Sequence, residues 1–139
     1  MYSQSTTAVS VRCGTDLVRV RDIAASLSQF GERFLARVFR PEEVASCDNA
    51  ATRIERLAAR YAAKEAVLKV LRPRDDEALP FRDIEIQRQA GGYSDVVLHD
   101  RAAQLAQRHG LSGWSLSMSH ERDYATATVV ATRAAEERS

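Results

Sequence analysis

The 139 residues carry a formal net charge of +1, with 45% of positions apolar and 28% charged, a balance that belongs to one globular domain and not to a disordered chain. Without a basic excess the chain is excluded as a general nucleic-acid binder, and no apolar run approaches the roughly 20 residues of a membrane span. Cys13 and Cys47 lie far apart without metal-ligand spacing, and the first residues have neither a basic nor a long apolar segment, so a reducing cytoplasm is expected.

One domain is expected over residues 8–133, with polar ends at 1–7 and 134–139. Val9, Val11 and Cys13 alternate as in a strand, and Gly14-Thr15-Asp16 is read as a turn into a helix through Leu17, Val20, Ala24 and Leu27. A short helix around Phe34 to Phe39 precedes another opened by Pro41, with Glu42 and Glu43 where the helix dipole favours anions. The longest helix runs from about Ala50 to Leu71 and stops before Pro73. Ile84 and Ile86, the turn Ala90-Gly91-Gly92, and Val96 with Leu98 predict a hairpin, followed by a helix from Asp100 to His109. Trp114, Leu116 and Met118 alternate with serines, and Tyr124 to Thr132 is rich in strand formers. The sum is an α+β fold, and at this size an oligomer would bury useful surface.

On the long helix Ile54, Ala58, Tyr61, Glu65 and Leu68 share one face, which sets Glu65 inside an apolar stripe. A carboxylate there must be paired, metal-bound, protonated, or placed where the stripe meets a cleft. Lys69, one turn on, is the nearest partner, and a plain Glu65–Lys69 helix pair is the commoner reading of this spacing. Asp16 reads as a helix N-cap or as a functional carboxylate at a strand end. Ser117, Ser119 and His120 close a strand edge that either admits a phosphate or forms an exposed turn. No hydrolase elbow, P-loop or dinucleotide fingerprint is present.

The segments GTDLVRV, RIERLAARYAAKEAVLKVL, DIEI and SLSMSHERDYATATVV occur in this order. Together, from about Val9 to Ala131, they resemble the holo-acyl-carrier-protein synthases, which are 4'-phosphopantetheinyl transferases. The pairing of G-x-D with A-x-R-Y/F-A-A-K-E-A is the most specific part. The resemblance implies Mg²⁺ on Asp16 and Glu65, with coenzyme A as co-substrate and an apo acyl carrier protein as acceptor. A carrier serine would attack the β-phosphorus of coenzyme A and expel adenosine 3',5'-bisphosphate. Lys69 would neutralise diphosphate oxygens, and Glu65 or a metal-bound water would take the serine proton. Arg53, Lys64, Ser119 and His120 match family positions near coenzyme A.

Val18 stands where longer monomeric relatives carry a third acidic ligand, so the chain resembles the short homotrimeric group, with sites at subunit interfaces. It departs from the family at Arg19 and Asp22, where Glu and Arg are usual, at Arg40 in place of Thr, and at Ser94 in place of Pro. Arg19, Arg21, Arg33 and Arg37 could still offer a basic surface to an acidic carrier helix. A non-catalytic trimer that binds coenzyme A or a nucleotide on the same scaffold is the alternative, with a purely structural assembly domain third.

Overall fold

The computed structural model describes residues 9–134. Two long strands and one long helix organise it. β1 (Val9–Arg19) leads directly into α1 (Val20–Phe30), and α2 (Glu32–Val38) and α3 (Pro41–Ala45) follow. α4 (Arg53–Leu71) is the spine of the molecule. After a 3₁₀ turn at Phe81–Asp83 come the hairpin β2 (Ile84–Arg88) and β3 (Ser94–Leu98), then α5 (Asp100–Arg108), β4 (Leu111–His120) and β5 (Tyr124–Ala134). β1, β5 and β4 form an antiparallel sheet in that order, and β2 with β3 forms a second. This is the α+β class that the sequence predicts. Of the expected ends, residues 1–7 and 135–139 lie outside the described residues, whereas Ala134 pairs with Val9 as the last residue of β5.

The first unit differs from its sequence reading. Gly14, Thr15 and Asp16 do not turn; they continue β1 opposite Val129, Thr128 and Ala127. Gly14 serves close approach instead, because a Cβ at this position would lie 2.2 Å from the Ala66 carbonyl oxygen of α4. Asp16 is therefore a mid-strand residue and not an N-cap. The start of α1 has no side-chain cap; the Val20 N–H donates instead to the Asp123 carbonyl in the β4–β5 turn, at 2.9 Å. α4 begins at Arg53, later than expected, and ends as predicted, with Arg72 in the left-handed region at φ 52° ahead of Pro73.

α4 lies against one face of the three-stranded sheet. Ala62, Ala63 and Ala66 meet Ala127, Val129 and Ala131 in one core cluster, and Ala58 and Ala59 meet Ala125 in another with α1 and α2. Small side chains on both surfaces bring helix and sheet close, which is why Gly14 has no room to spare. On the opposite face Val9, Val11 and Leu17 stay 56, 59 and 65% exposed, so the described chain covers only one side of this sheet.

Candidate active site

The close crossing of β1 and α4 brings Asp16 to the helix. Asp16 lies two residues beyond Gly14 and so faces the same way. There the Lys69 ammonium donates to Asp16 Oδ1 at 3.1 Å and to the Thr15 carbonyl at 2.6 Å. The expected pairing of Lys69 within its own helix is thus replaced by one between residues far apart in sequence. One helical turn before Lys69, Glu65 is half-buried, and Tyr61 stands one turn earlier on the same helix face. Burial raises the Glu65 carboxyl above its ordinary range, the Asp16 charge adds to this, and Tyr61 and Lys69 oppose it. Tyr61 is raised in turn by burial and by the Glu65 charge.

Two carboxylates that repel each other, with an ammonium beside one of them, suit a small dication and anionic oxygens. Among the described residues no group of three or more His, Cys, Asp or Glu side chains is gathered to hold a metal. The all-oxygen pair of Asp16 and Glu65 fits Mg²⁺, which takes one or two carboxylates and completes its shell with water and substrate phosphate.

Lys64 requires correction. Its ammonium is wholly buried and donates to Glu43 Oε1 at 2.9 Å, to the Phe81 carbonyl at 3.0 Å and to the Ile84 carbonyl. All three donors are used inside the chain, so none is left for a coenzyme A phosphate. Ser119 and His120 are also separated, because neighbouring strand residues point to opposite faces. Ser119 lies on the uncovered face of β4. His120 Nδ1 lies 3.3 Å from Glu55 Oε2 in the first turn of α4. Glu55 stands ten positions before Glu65, about 15 Å along the helix axis. Arg53 opens that same first turn, half-buried.

Arg60 was not among the residues that sequence reasoning singled out. It is 4% exposed, its Nη2 donates to Ser46 Oγ at 3.3 Å, and its Nε is buried without a hydrogen-bond partner, as is Thr52 Oγ1 at the start of α4. The signal was available: Arg60 and Lys64 share a helix face with Leu57, Val67 and Leu71, an apolar setting in which a cation calls for a special partner. Within one chain the described site residues therefore form two groups on α4, one around Glu65 and one towards its first turn.

Two carboxylates and an amine gathered where β1 crosses α4 suit a class of protein that handles charged oxygens, and the comparisons make it particular. Residues 12–129 match the family model of the 4'-phosphopantetheinyl transferase superfamily. The chain is 42% identical over 117 residues to the holo-[acyl-carrier-protein] synthase of Koribacter versatilis, covering 84% of this chain and 94% of that one. It is 43% identical over 119 residues to the synthase of Gloeobacter violaceus, covering 85 and 89%. Among solved structures, the Chronobacterium ammoniagenes synthase in complex with coenzyme A superposes with a TM-score of 0.79 at 32% identity, covering 91 and 99%. The Neisseria meningitidis synthase superposes at 0.75 with 35% identity, covering 86 and 95%. The chain belongs to the 4'-phosphopantetheinyl transferase superfamily, among the holo-acyl-carrier-protein synthases.

Proposed function

We propose that this protein transfers 4'-phosphopantetheine from coenzyme A to a serine of an apo acyl carrier protein, with Mg²⁺ held by Asp16 and Glu65. The observation that carries this reading is the junction of β1 and α4, where Gly14 lets the two carboxylates and Lys69 converge. The serine oxygen forms a bond to the β-phosphorus, the bond from that phosphorus to the bridging oxygen breaks, and adenosine 3',5'-bisphosphate leaves. Lys69, more than half exposed beside Asp16, meets the charge that builds on the leaving phosphate. The carboxylate of Glu65, or a water held beside it, would take the serine proton. Bound Mg²⁺ would neutralise diphosphate oxygens and orient the phosphoryl group.

Two features favour a homotrimer with shared sites. The exposed Val9, Val11 and Leu17 line a sheet face that needs cover, and His120 keeps company with Glu55 at the end of α4 remote from Glu65. A neighbouring copy could bring its His120 and Arg53 to Asp16 and Glu65 in a contact that closes as a ring. The carrier would approach along the junction of β1 and α1, where Arg19 and Asp22 both line a cleft of about 390 Å³ that opens beside Tyr61. Both thiols, Cys13 exposed and Cys47 buried, are unbridged, which suits the reducing cytoplasm in which carriers would be met.

The test is to incubate the protein with coenzyme A, Mg²⁺ and several apo carriers and to weigh the carriers by mass spectrometry. A gain of the phosphopantetheine mass is expected. Coenzyme A binding without any such gain, across all carriers, would leave the non-catalytic trimer in its place.

A further inference from the structure

The buried Glu43–Lys64 pair does more local work than one ion pair normally does. Glu43 Oε1 also accepts the Arg40 N–H at 2.8 Å, and its Oε2 accepts the Ile86 N–H at 3.0 Å. With the two carbonyls that Lys64 holds, this one pair ties α3, α4 and the chain entering β2 into a single unit. One of those carbonyls belongs to Phe81, whose ring lies 5.4 Å from that of Tyr61, tilted by 32°. Tyr61 otherwise stands between two clefts, of about 390 and 800 Å³, and lines both. A ring with open space on two sides needs a brace to keep one rotamer, and Phe81 is a fixed one. Tyr61 and Glu65 are four positions apart on one face of α4, which sets the Tyr61 side chain beside the Glu65 carboxylate.

We propose that Tyr61 and Phe81 are positioning residues for Glu65: Phe81, anchored through its carbonyl by Lys64 and Glu43, braces the Tyr61 ring so that its hydroxyl fixes the Glu65 carboxylate in the orientation that serves Asp16. This rests on the reading of Glu65 as a metal ligand. It gives Lys64 a function at the site without contact with any substrate, and it accounts for a buried charge next in sequence to the carboxylate. A carboxylate held by a charge-assisted hydrogen bond loses less rotamer freedom when it takes up a cation.

The experiment is a double-mutant cycle on cation affinity. Mn²⁺ would be the probe, with its free fraction read by electron paramagnetic resonance in the presence of coenzyme A and corrected for Mn²⁺ bound by coenzyme A alone. The proteins are wild type, Tyr61→Phe, Phe81→Leu and the double variant, each checked for fold by circular dichroism. Each single variant should weaken Mn²⁺ binding by roughly tenfold, lower kcat to a similar degree, and leave KM for coenzyme A within about twofold. Because Phe81 acts through the Tyr61 hydroxyl, the double variant should be no worse than Tyr61→Phe. Phe81→Met, which keeps a large apolar side chain against Tyr61, should recover part of the loss and stands in if Phe81→Leu fails to fold. Unchanged Mn²⁺ affinity in Tyr61→Phe, or losses that multiply in the double variant, would overturn the inference while the proposed function stands. A wild-type protein that takes up no Mn²⁺ removes the metal reading and this inference together.

Discussion

Asp16, Glu65 and Lys69 illustrate how much a side chain's role depends on its surroundings. Each has an ordinary explanation in sequence, as a helix cap or a helix pair, and each is redirected by the crossing of β1 and α4. Asp16→Ala and Glu65→Ala are expected to abolish Mg²⁺-dependent transfer while leaving melting and oligomeric state close to wild type, because both side chains sit in a polar, solvent-reaching cluster. Carrier mass spectrometry and circular dichroism check this; a folded variant with wild-type turnover would sink the metal assignment. Lys64 should behave oppositely. Lys64→Met leaves Glu43 buried at 1% exposure without its cation, and breaking a buried pair from one side costs about 3–5 kcal/mol. Urea denaturation of the apo protein reads that loss directly. The double variant Glu43→Leu/Lys64→Met should recover part of it, since no lone charge is then left in the core.

The elements themselves were largely legible. The helix from Arg53 to Leu71, the hairpin of β2 and β3, the short α5 and the alternating β4 all follow from periodicity and from Pro and Gly punctuation. The exception is the β1–α1 junction, where Gly14 looks like a turn residue and proves to be a packing residue. No local pattern distinguishes the two, because the demand for a missing Cβ comes from Ala66, 52 positions away in the chain. At the far end of α5, His109 Nδ1 lies 3.0 Å from Arg12 Nη1, a guanidinium that also donates to the Val70 carbonyl. Burial holds His109 below its ordinary range, helped by the charges of Arg12, Arg108 and Arg133 and opposed by Glu77. A histidine whose folded pKa is depressed contributes stability that is present above its unfolded pKa, near 6.5, and is lost as pH falls through the folded value. Wild type should therefore lose more melting temperature than His109→Asn between about pH 7 and pH 5. Parallel thermal melts of the two proteins would show it, and equal losses would remove His109 as the cause.

On the scale of the whole molecule, one chain keeps two groups apart: Asp16, Glu65 and Lys69 at one place, and His120 with Glu55 at another. If sites are shared, Glu65→Ala and His120→Ala chains, each inactive alone, should regain part of the activity when mixed and exchanged, because some interfaces of a mixed trimer carry both intact residues. Native mass spectrometry establishes the mixing, and mixed trimers without activity would place His120 in its own subunit's site.

The sequence by itself determined the α+β class, the order of the motifs, the face of α4 that carries Glu65, and the two carboxylates worth testing, because periodicity and residue type are properties of short stretches. It could not say that Lys64 faces inward to Glu43, that Arg60 is buried beside it, or that Lys69 crosses to Asp16. Successive positions on a helix are about 100° apart, so neighbours such as Lys64 and Glu65 meet different surroundings. What those surroundings are depends on strands and turns that arrive from elsewhere in the chain, and only their packing together decides which charge is sealed in the core and which is left at the rim.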